Sequence, residues 1–276
     1  MHMRLLLLFT CCFIINNTKA QTDSLSSKFP IDSNYFSSFD GTKIYYEVRG
    51  EGKPVLLIHG FMGNSNGWKS RALYPDLLKG GYKVIILDMR GNGKSDKPHD
   101  TAAYQNDAEA KDIMQLMDLL KIKQYSAVGY SRGSIITVRL LVLDKRMQNA
   151  VLGGMGADFT NPEWPRRKMF YRALMGDSIP ELKGAVDYVK QQGLDQLALA
   201  YLQKAQPSTS KEALGRLKQP VLVICGDKDA DNGSAVELAK LLPNTSSAIT
   251  PGDHNHASET PEFSKEIISF LRRNNY

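Results

Sequence analysis

The chain has 276 residues, of which 42% are hydrophobic, so it is long enough to bury one large α/β core or two small ones. Its 35 basic and 29 acidic residues give a net charge of +6, but the longest basic cluster is the triplet Arg166-Arg167-Lys168. No nucleic-acid-binding motif is present, and we therefore expect no nucleic-acid partner.

The first twenty residues have the pattern of a signal peptide. Arg4 supplies a positive charge, residues 5–15 are apolar but too few to span a membrane, and small residues lie at 18 and 20. We expect cleavage near Ala20 and an exported, periplasmic or secreted protein with no stable membrane span in the mature chain. The alternative is an uncleaved N-terminal anchor. Residues 21–33 are polar and serine-rich and predict a disordered linker.

Cysteine and histidine spacing gives no sign of a bound metal. Signal cleavage would leave Cys225 as the one cysteine, which excludes a disulfide framework and a cysteine-based metal site. The pair His254 and His256 supplies too few ligands for a metal. The sequence also carries no cofactor motif, so we predict neither a metal nor a cofactor.

The first half of the chain alternates between strand and helix patterns. Apolar runs predict strands at residues 35–39, 43–49, 54–58 and 83–88, and helical spacing predicts helices at 68–79 and 106–120. Asp40-Gly41 between the first two strands is a hairpin signal. The glycine-rich loop 89–95 lacks the spacing of a phosphate-binding loop, so we expect a structural turn that Asp88 stabilises.

The second half contains a break in this alternation. Strands are expected at 125–130, 149–153, 220–225 and 245–250, and helices after residue 131 and at 234–242 and 263–273. Residues 157–217, which we call the cap, contain only helix-like segments. We therefore predict an α/β fold at residues 34–276, with a mostly parallel, doubly wound sheet and an inserted helical cap.

The segment Gly129-Tyr130-Ser131-Arg132-Gly133 has the spacing G-x-S-x-G. In a tight strand-to-helix turn this spacing exposes the serine hydroxyl, while the glycines let neighbouring backbone approach. Such a match occurs by chance in about one chain in ten of this length, and a helix N-cap is the simple alternative for the serine. An apolar strand before the motif and an apolar helix after it favour the turn.

Four further segments occur in order around this motif. They are His59-Gly60-Phe61, Asp88 followed by residues 89–95, residues 226–229 (Gly-Asp-Lys-Asp) and residues 252–254 (Gly-Asp-His). Together with the motif they resemble the α/β-hydrolase fold family, in its form with a helical cap, and the resemblance covers residue 35 to the C-terminus. The resemblance implies a serine hydrolase, because epoxide hydrolases and haloalkane dehalogenases of this family use an aspartate at the position of Ser131.

The resemblance also assigns roles to three side chains. Ser131 would be the nucleophile, His254 the base that accepts its proton, and Asp229 the carboxylate that orients the histidine. The spacing leaves His256 open as an alternative base. It also leaves three other carboxylates open as the acid, namely Asp227, Asp231 and Asp158.

An oxyanion hole would be formed by the backbone N–H groups of Phe61 and Arg132. The side chain of Arg132 is either a surface charge or the partner of a carboxylate on the cap, and the sequence does not choose between them. Most residues that shape the substrate pocket are expected on the cap. Pocket residues are predicted at Tyr130, Phe159, Trp164 and Phe170, although packing of the cap onto the core would explain the same aromatic residues.

The predicted function is hydrolysis of a carboxylic ester or a related acyl bond in a small-molecule substrate. Thioester, lactone and carbon–carbon bond hydrolysis and perhydrolysis share this triad in the family, so the resemblance does not separate them. The alternative is a non-catalytic or slow-turnover protein that binds a small molecule on the same scaffold. The sequence does not fix the oligomeric state.

Overall fold

The computed structural model describes residues 31–274. The predicted signal peptide and most of the predicted linker lie outside the described residues. The first strand begins at Asp32, so the last two residues assigned to the linker belong to the sheet.

Within residues 31–274, eight strands form one sheet in the order β1-β2-β4-β3-β5-β6-β7-β8. The strands are β1 (Asp32–Ser37), β2 (Lys43–Arg49), β3 (Lys53–Ile58), β4 (Tyr82–Leu87), β5 (Tyr125–Tyr130), β6 (Met147–Gly153), β7 (Val221–Gly226) and β8 (Thr245–Thr250). The pairs β1–β2 and β2–β4 are antiparallel, and the remaining pairs are parallel. The predicted mostly parallel sheet is therefore confirmed.

The α-helices of the described chain connect these strands. They are α1 (Asn66–Lys69), α2 (Leu73–Lys79), α3 (Ala108–Leu119), α4 (Arg132–Leu143), α5 (Pro165–Leu174), α6 (Lys183–Gln191), α7 (Gln196–Lys204), α8 (Lys211–Leu214), α9 (Ala235–Lys240) and α10 (Pro261–Arg273). None of them is long and apolar enough to cross a membrane.

The single helix predicted at 68–79 is two helices, α1 and α2. Pro75 explains the break, because a proline inside a helix lacks an N–H group and clashes with the carbonyl four residues earlier, here that of Arg71. The second helix begins at Leu73, which places Pro75 in its first turn, where no N–H partner is required. Arg71 therefore lies in the link between two helices.

Alternate residues of the central strands face two separate apolar layers. On β3, Leu56 and Ile58 pack into one layer with α3 and α4, whereas Val55 and Leu57 pack into the other with α2 and α10. Helices therefore cover both faces of the sheet, as expected for a doubly wound fold.

The cap lies between β6 and β7 and has its own small apolar cluster. Leu174, Val189, Leu199 and Leu202 form this cluster, and Phe61 packs against it from the loop after β3. The cap therefore rests on a loop at the carboxyl ends of the strands, which is where ligands bind in open α/β sheets.

The glycine-rich loop after β4 is held by buried polar contacts. Asp88 accepts hydrogen bonds from the backbone N–H groups of Ser65 at 2.6 Å and Lys94 at 2.7 Å, as expected for a turn-stabilising carboxylate. Arg90 is completely buried and forms ion pairs with Asp112 at 2.6 Å and Asp40 at 2.7 Å.

The Asp40–Arg90 pair predicts a pH-dependent contribution to stability. Burial acts to raise the pKa of Asp40, but hydrogen bonds from Arg90 and Thr42 lower it to about 2 from the usual 3.8. A depressed native pKa means that this contribution is complete above the usual value and is lost as the pH falls through about 2. After a discount for the partly exposed carboxylate, Asp40→Asn is expected to lower the free energy of unfolding by about 1–2 kcal/mol at pH 7.

Urea unfolding of both proteins between pH 2 and pH 7 measures this difference. The difference should stay constant down to about pH 4 and then shrink toward pH 2. A difference that is unchanged across this range would contradict the ion-pair explanation.

Candidate active site

Ser131 lies in a sharp turn between β5 and α4. Its backbone angles are φ 53° and ψ −124°, in a region that non-glycine residues rarely adopt. The backbone N–H of Ser131 donates a hydrogen bond to the carbonyl of Gly153 at 2.8 Å, which anchors the turn to the end of β6. The turn holds the serine at the carboxyl edge of the sheet.

The two glycines of the motif are required by close backbone packing. A Cβ atom on Gly129 would lie 2.4 Å from the carbonyl oxygen of Gly133, and one on Gly133 would lie 2.3 Å from that of Ile58. Real Cβ atoms do not approach backbone this closely. The glycines therefore let α4 start directly against β5 and β3.

Gly133→Ala is expected to lower the free energy of unfolding by about 2–3 kcal/mol, because the new methyl group must displace the backbone of β3. Gly184→Ala is the matched control, since a Cβ on Gly184 has open space and its helix favours alanine. Urea unfolding measures both variants. Equal stability of Gly133→Ala and the wild type would contradict the close packing.

The structure brings Ser131, His254 and Asp229 together. His254 Nε2 lies 2.9 Å from Ser131 Oγ, and His254 Nδ1 lies 2.9 Å from Asp229 Oδ2. Burial acts to raise the pKa of Asp229, but the hydrogen bond and the charge interaction with His254 outweigh it and lower the pKa below its usual value. An ionised carboxylate favours a proton on Nδ1 and leaves Nε2 free to accept the serine proton.

Two further side chains hold His254 in place. Tyr130 donates a hydrogen bond from its hydroxyl to the backbone carbonyl of His254 at 2.7 Å, and the two ring centroids are 5.4 Å apart. Asn232 donates to the carbonyl of Gly154 at 3.0 Å and places its amide nitrogen 3.5 Å from His254 Nε2. Asn232 was not predicted, and no sequence pattern around it marks this position.

The alternative bases and acids lie elsewhere. His256 is 69% exposed and pairs with Asp253 at 2.7 Å. Asp227 accepts a hydrogen bond from the N–H of Gly252 and holds a turn. Asp231 lies 3.3 Å from Arg166. Asp158 is exposed on the surface.

The two predicted oxyanion donors both border Ser131. Phe61 and Arg132 line the same cavity as the serine, and Gly60 approaches so closely that a Cβ there would lie 3.2 Å from Ser131 Cβ. His59 holds this loop, because its Nε2 accepts a hydrogen bond from the N–H of Met89 at 3.1 Å. Burial lowers the pKa of His59, which favours the neutral ring that this contact requires.

The environment of the Arg132 side chain matches neither of the two alternatives that the sequence left open. The side chain is neither exposed nor paired with a carboxylate of the cap, but makes a buried bidentate ion pair with Glu109 of α3 at 2.5 and 2.6 Å. It also donates to the carbonyl of Leu202 in the cap at 3.2 Å. Sequence reasoning missed Glu109, because it lies 23 residues before Arg132 and pairing at that distance leaves no local pattern.

A cavity of about 200 Å³, the cap cavity, lies between Ser131 and the cap. Of the residues predicted for the substrate pocket, Trp164 and Phe170 line this cavity. Phe159 does not line it but packs in the apolar core of the sheet, and Tyr130 lies beside His254 rather than facing the cap. Arg166 and Arg167, from the basic triplet at the start of α5, also line this cavity.

No group of three or more His, Cys, Asp or Glu side chains in residues 31–274 could hold a metal ion.

Comparison with known proteins identifies the family to which this fold belongs. A model of the alpha/beta hydrolase fold matches residues 53–185. A protein of Synechocystis sp. provisionally named a non-heme chloroperoxidase is 30% identical over 244 residues, which cover 76% of this chain and 87% of the relative. The chain belongs to the α/β-hydrolase fold family. The resemblance carried by the five motif segments is thereby confirmed.

Solved structures of other proteins have the same fold as this α/β-hydrolase. A bromoperoxidase from Bacillus anthracis gives a TM-score of 0.73 at 24% identity over 87% of this chain and 100% of its own. An esterase from Exiguobacterium antarcticum gives a TM-score of 0.74 at 22% identity over 87% of this chain and 100% of its own. At these identities the likeness concerns the fold alone. The relatives thus include proteins named as esterases and as peroxidases.

Proposed function

We propose that this α/β-hydrolase cleaves a carboxylic ester or a related acyl bond through Ser131, His254 and Asp229. The observation that carries the proposal is the chain of two 2.9 Å contacts from Ser131 Oγ through the His254 ring to Asp229. A serine hydroxyl is a weak nucleophile until a base within hydrogen-bond reach accepts its proton, and this arrangement supplies such a base.

In the proposed reaction, His254 Nε2 takes the proton of Ser131 as its oxygen attacks the acyl carbon. The carbonyl oxygen becomes negatively charged and is stabilised by the N–H groups of Phe61 and Arg132. His254 then gives its proton to the departing alcohol, which leaves the acyl group bound to Ser131. Water, activated by the same histidine, releases the acid and restores the serine.

Hydrolysis of p-nitrophenyl esters of increasing acyl length by residues 21–276 tests this proposal. We expect turnover that depends on acyl length, because the cap cavity has a limited volume of about 200 Å³. The Ser131→Ala variant is the negative control. Absence of turnover in the wild type, together with saturable binding of the same compounds, would favour the alternative of a binding protein without catalysis.

The relatives named as peroxidases favour a second candidate, perhydrolysis. Hydrogen peroxide would replace water in the attack on the acyl-serine, giving a peroxy acid and the free serine. The peroxy acid would then transfer one oxygen atom to a halide, giving hypohalite and the carboxylic acid. Halogenation of a phenolic dye in acetate, peroxide and bromide, absent from Ser131→Ala, would support this candidate over simple hydrolysis.

Export of the protein, with cleavage near Ala20, remains a prediction from the sequence. The N-terminal sequence and intact mass of the protein recovered outside the cytoplasm would test it. A mature chain that starts near residue 21 is the expected result, and a full-length chain held in membranes would support the N-terminal anchor instead.

A further inference from the structure

A second cavity also reaches Ser131 and His254. Its volume is about 180 Å³, and we call it the Arg71 cavity. It shares Phe61, Ser131, His254 and Asn255 with the cap cavity. The rest of its wall comes from the loop after β3, from α1 and the α1–α2 link, and from Tyr130 at the end of β5, with no residue of the cap. A substrate bound across Ser131 would therefore have one part in each cavity.

Arg71 supplies the strong positive charge of this second cavity. Its guanidinium carbon lies 4.9 Å from the ring centroid of Trp68 and 5.7 Å from that of Tyr130. These aromatic contacts fix the position of the planar group. Burial lowers the pKa of Arg71, as expected where solvent no longer stabilises the charge.

The guanidinium forms no ion pair among residues 31–274, where the charge of Glu259 acts on it only from a longer distance, and its buried Nε has no hydrogen-bond acceptor there. The arginines that line the cap cavity have partners, since Arg132 pairs with Glu109, Arg166 pairs with Asp231, and Arg167 donates a hydrogen bond to the backbone carbonyl of Gln206 at 2.9 Å. An arginine carries five N–H donors, and leaving donors unpaired in a partly buried site costs free energy. Arg71 is therefore ready to bind an anion without first breaking an ion pair.

The remaining wall of the Arg71 cavity contains no competing negative charge. None of the described residues that line it is Asp or Glu, whereas Asp231 lines the cap cavity. The other lining side chains are small, aromatic or amide groups, together with His59 and His254. Of the two cavities, the Arg71 cavity is the one whose lining pairs an arginine that has no ion pair with the absence of any carboxylate.

We propose that the Arg71 cavity binds a carboxylate of the substrate while its acyl carbon lies at Ser131. This inference rests on the proposed function and deepens it, because it makes the preferred substrate an ester that carries a carboxylate. The guanidinium of Arg71, which its aromatic neighbours already hold in position, would bind this carboxylate through charge-assisted hydrogen bonds. The neutral part of the substrate would occupy the cap cavity.

Two pairs of esters test the inference and locate the charge. The first compares 4-acetoxybenzoate with its methyl ester, which places the carboxylate on the leaving group. The second compares mono-p-nitrophenyl succinate with p-nitrophenyl pentanoate, which places it on the acyl group. The measured quantity is the ratio of kcat/KM for the charged ester to that for the neutral ester in each pair.

In at least one pair, Arg71→Gln is expected to lower this ratio by roughly ten- to a hundredfold, mainly through KM, and Arg71→Lys should restore part of it. Arg272→Gln is the matched control, because it removes the same charge from an exposed position outside both cavities. A merely structural role of Arg71 would lower activity on charged and neutral esters alike. An unchanged ratio in Arg71→Gln would overturn the inference while leaving the ester hydrolase intact.

Calorimetry on Ser131→Ala provides a second measurement that needs no turnover. 4-Hydroxybenzoate and its methyl ester are the probes. We expect the charged probe to bind more tightly than the neutral one, and we expect Arg71→Gln in the same background to remove this difference. Equal affinity for both probes before the Arg71 change would overturn the inference even if no ester were hydrolysed.

Discussion

Replacement of Ser131 by alanine is expected to lower kcat/KM for ester hydrolysis by about 10⁴- to 10⁶-fold. The reason is the 2.9 Å contact between its Oγ and His254 Nε2, which the alanine variant lacks. His254→Ala should cause a loss of similar size, because removal of the base leaves the serine protonated. Initial-rate kinetics with purified variants measure both effects.

His256→Ala is the matched control for the histidine variant. It removes the same side chain two residues away, where the ring is 69% exposed and pairs with Asp253. We expect its kcat/KM to stay within about threefold of the wild type, as for most exposed substitutions. A large loss in His256→Ala with full activity in His254→Ala would contradict the assignment of the base.

Replacement of Glu109 by glutamine is expected to lower the free energy of unfolding by about 3–5 kcal/mol, because it leaves the Arg132 charge buried without a counter-charge. Both side chains of this pair are less than 5% exposed. Arg132 follows the serine directly and its N–H is a proposed oxyanion donor. We therefore also expect kcat to fall at temperatures where Glu109→Gln is still folded.

Two further variants test whether the loss of stability comes from a buried charge without a partner. Glu237→Gln removes one partner of an exposed ion pair with Lys240 and should cost less than about 1 kcal/mol. The double variant Glu109→Leu/Arg132→Met removes both buried charges and should recover part of the lost stability. Urea unfolding at pH 7 measures all of them. A cost below about 1 kcal/mol for Glu109→Gln would contradict the buried-pair account.

The structural features that depend on local sequence patterns could be predicted. Apolar runs identified the strands, and the alternation predicted the sheet and the cap because strand and helix periodicity are local properties. The turn at Ser131 was predictable for the same reason, since the G-x-S-x-G spacing lies within five consecutive residues. The structure places His254, to which the family resemblance assigned the role of base, beside Ser131, and it places Asp229 on the other side of the histidine ring.

Contacts between distant segments could not be predicted in this way. Arg132 and Glu109 pair across two helices, and Phe159 packs into the core rather than the cap cavity, because aromatic residues suit either place equally well. The helix break before Pro75 puts Arg71 against Trp68 and the Arg71 cavity, a position that the helical spacing of 68–79 concealed. These features depend on tertiary packing, which overrides local preference.

The most direct test of the account is covalent labelling of Ser131. The protein is treated with a fluorophosphonate probe, and the modified residue is located by mass spectrometry of its peptides. The account predicts one equivalent of label on Ser131 in the wild type and in His256→Ala, with labelling slowed by orders of magnitude in His254→Ala. Label on a different residue, or none on Ser131 in folded wild-type protein, would contradict the claim that this serine is an activated nucleophile.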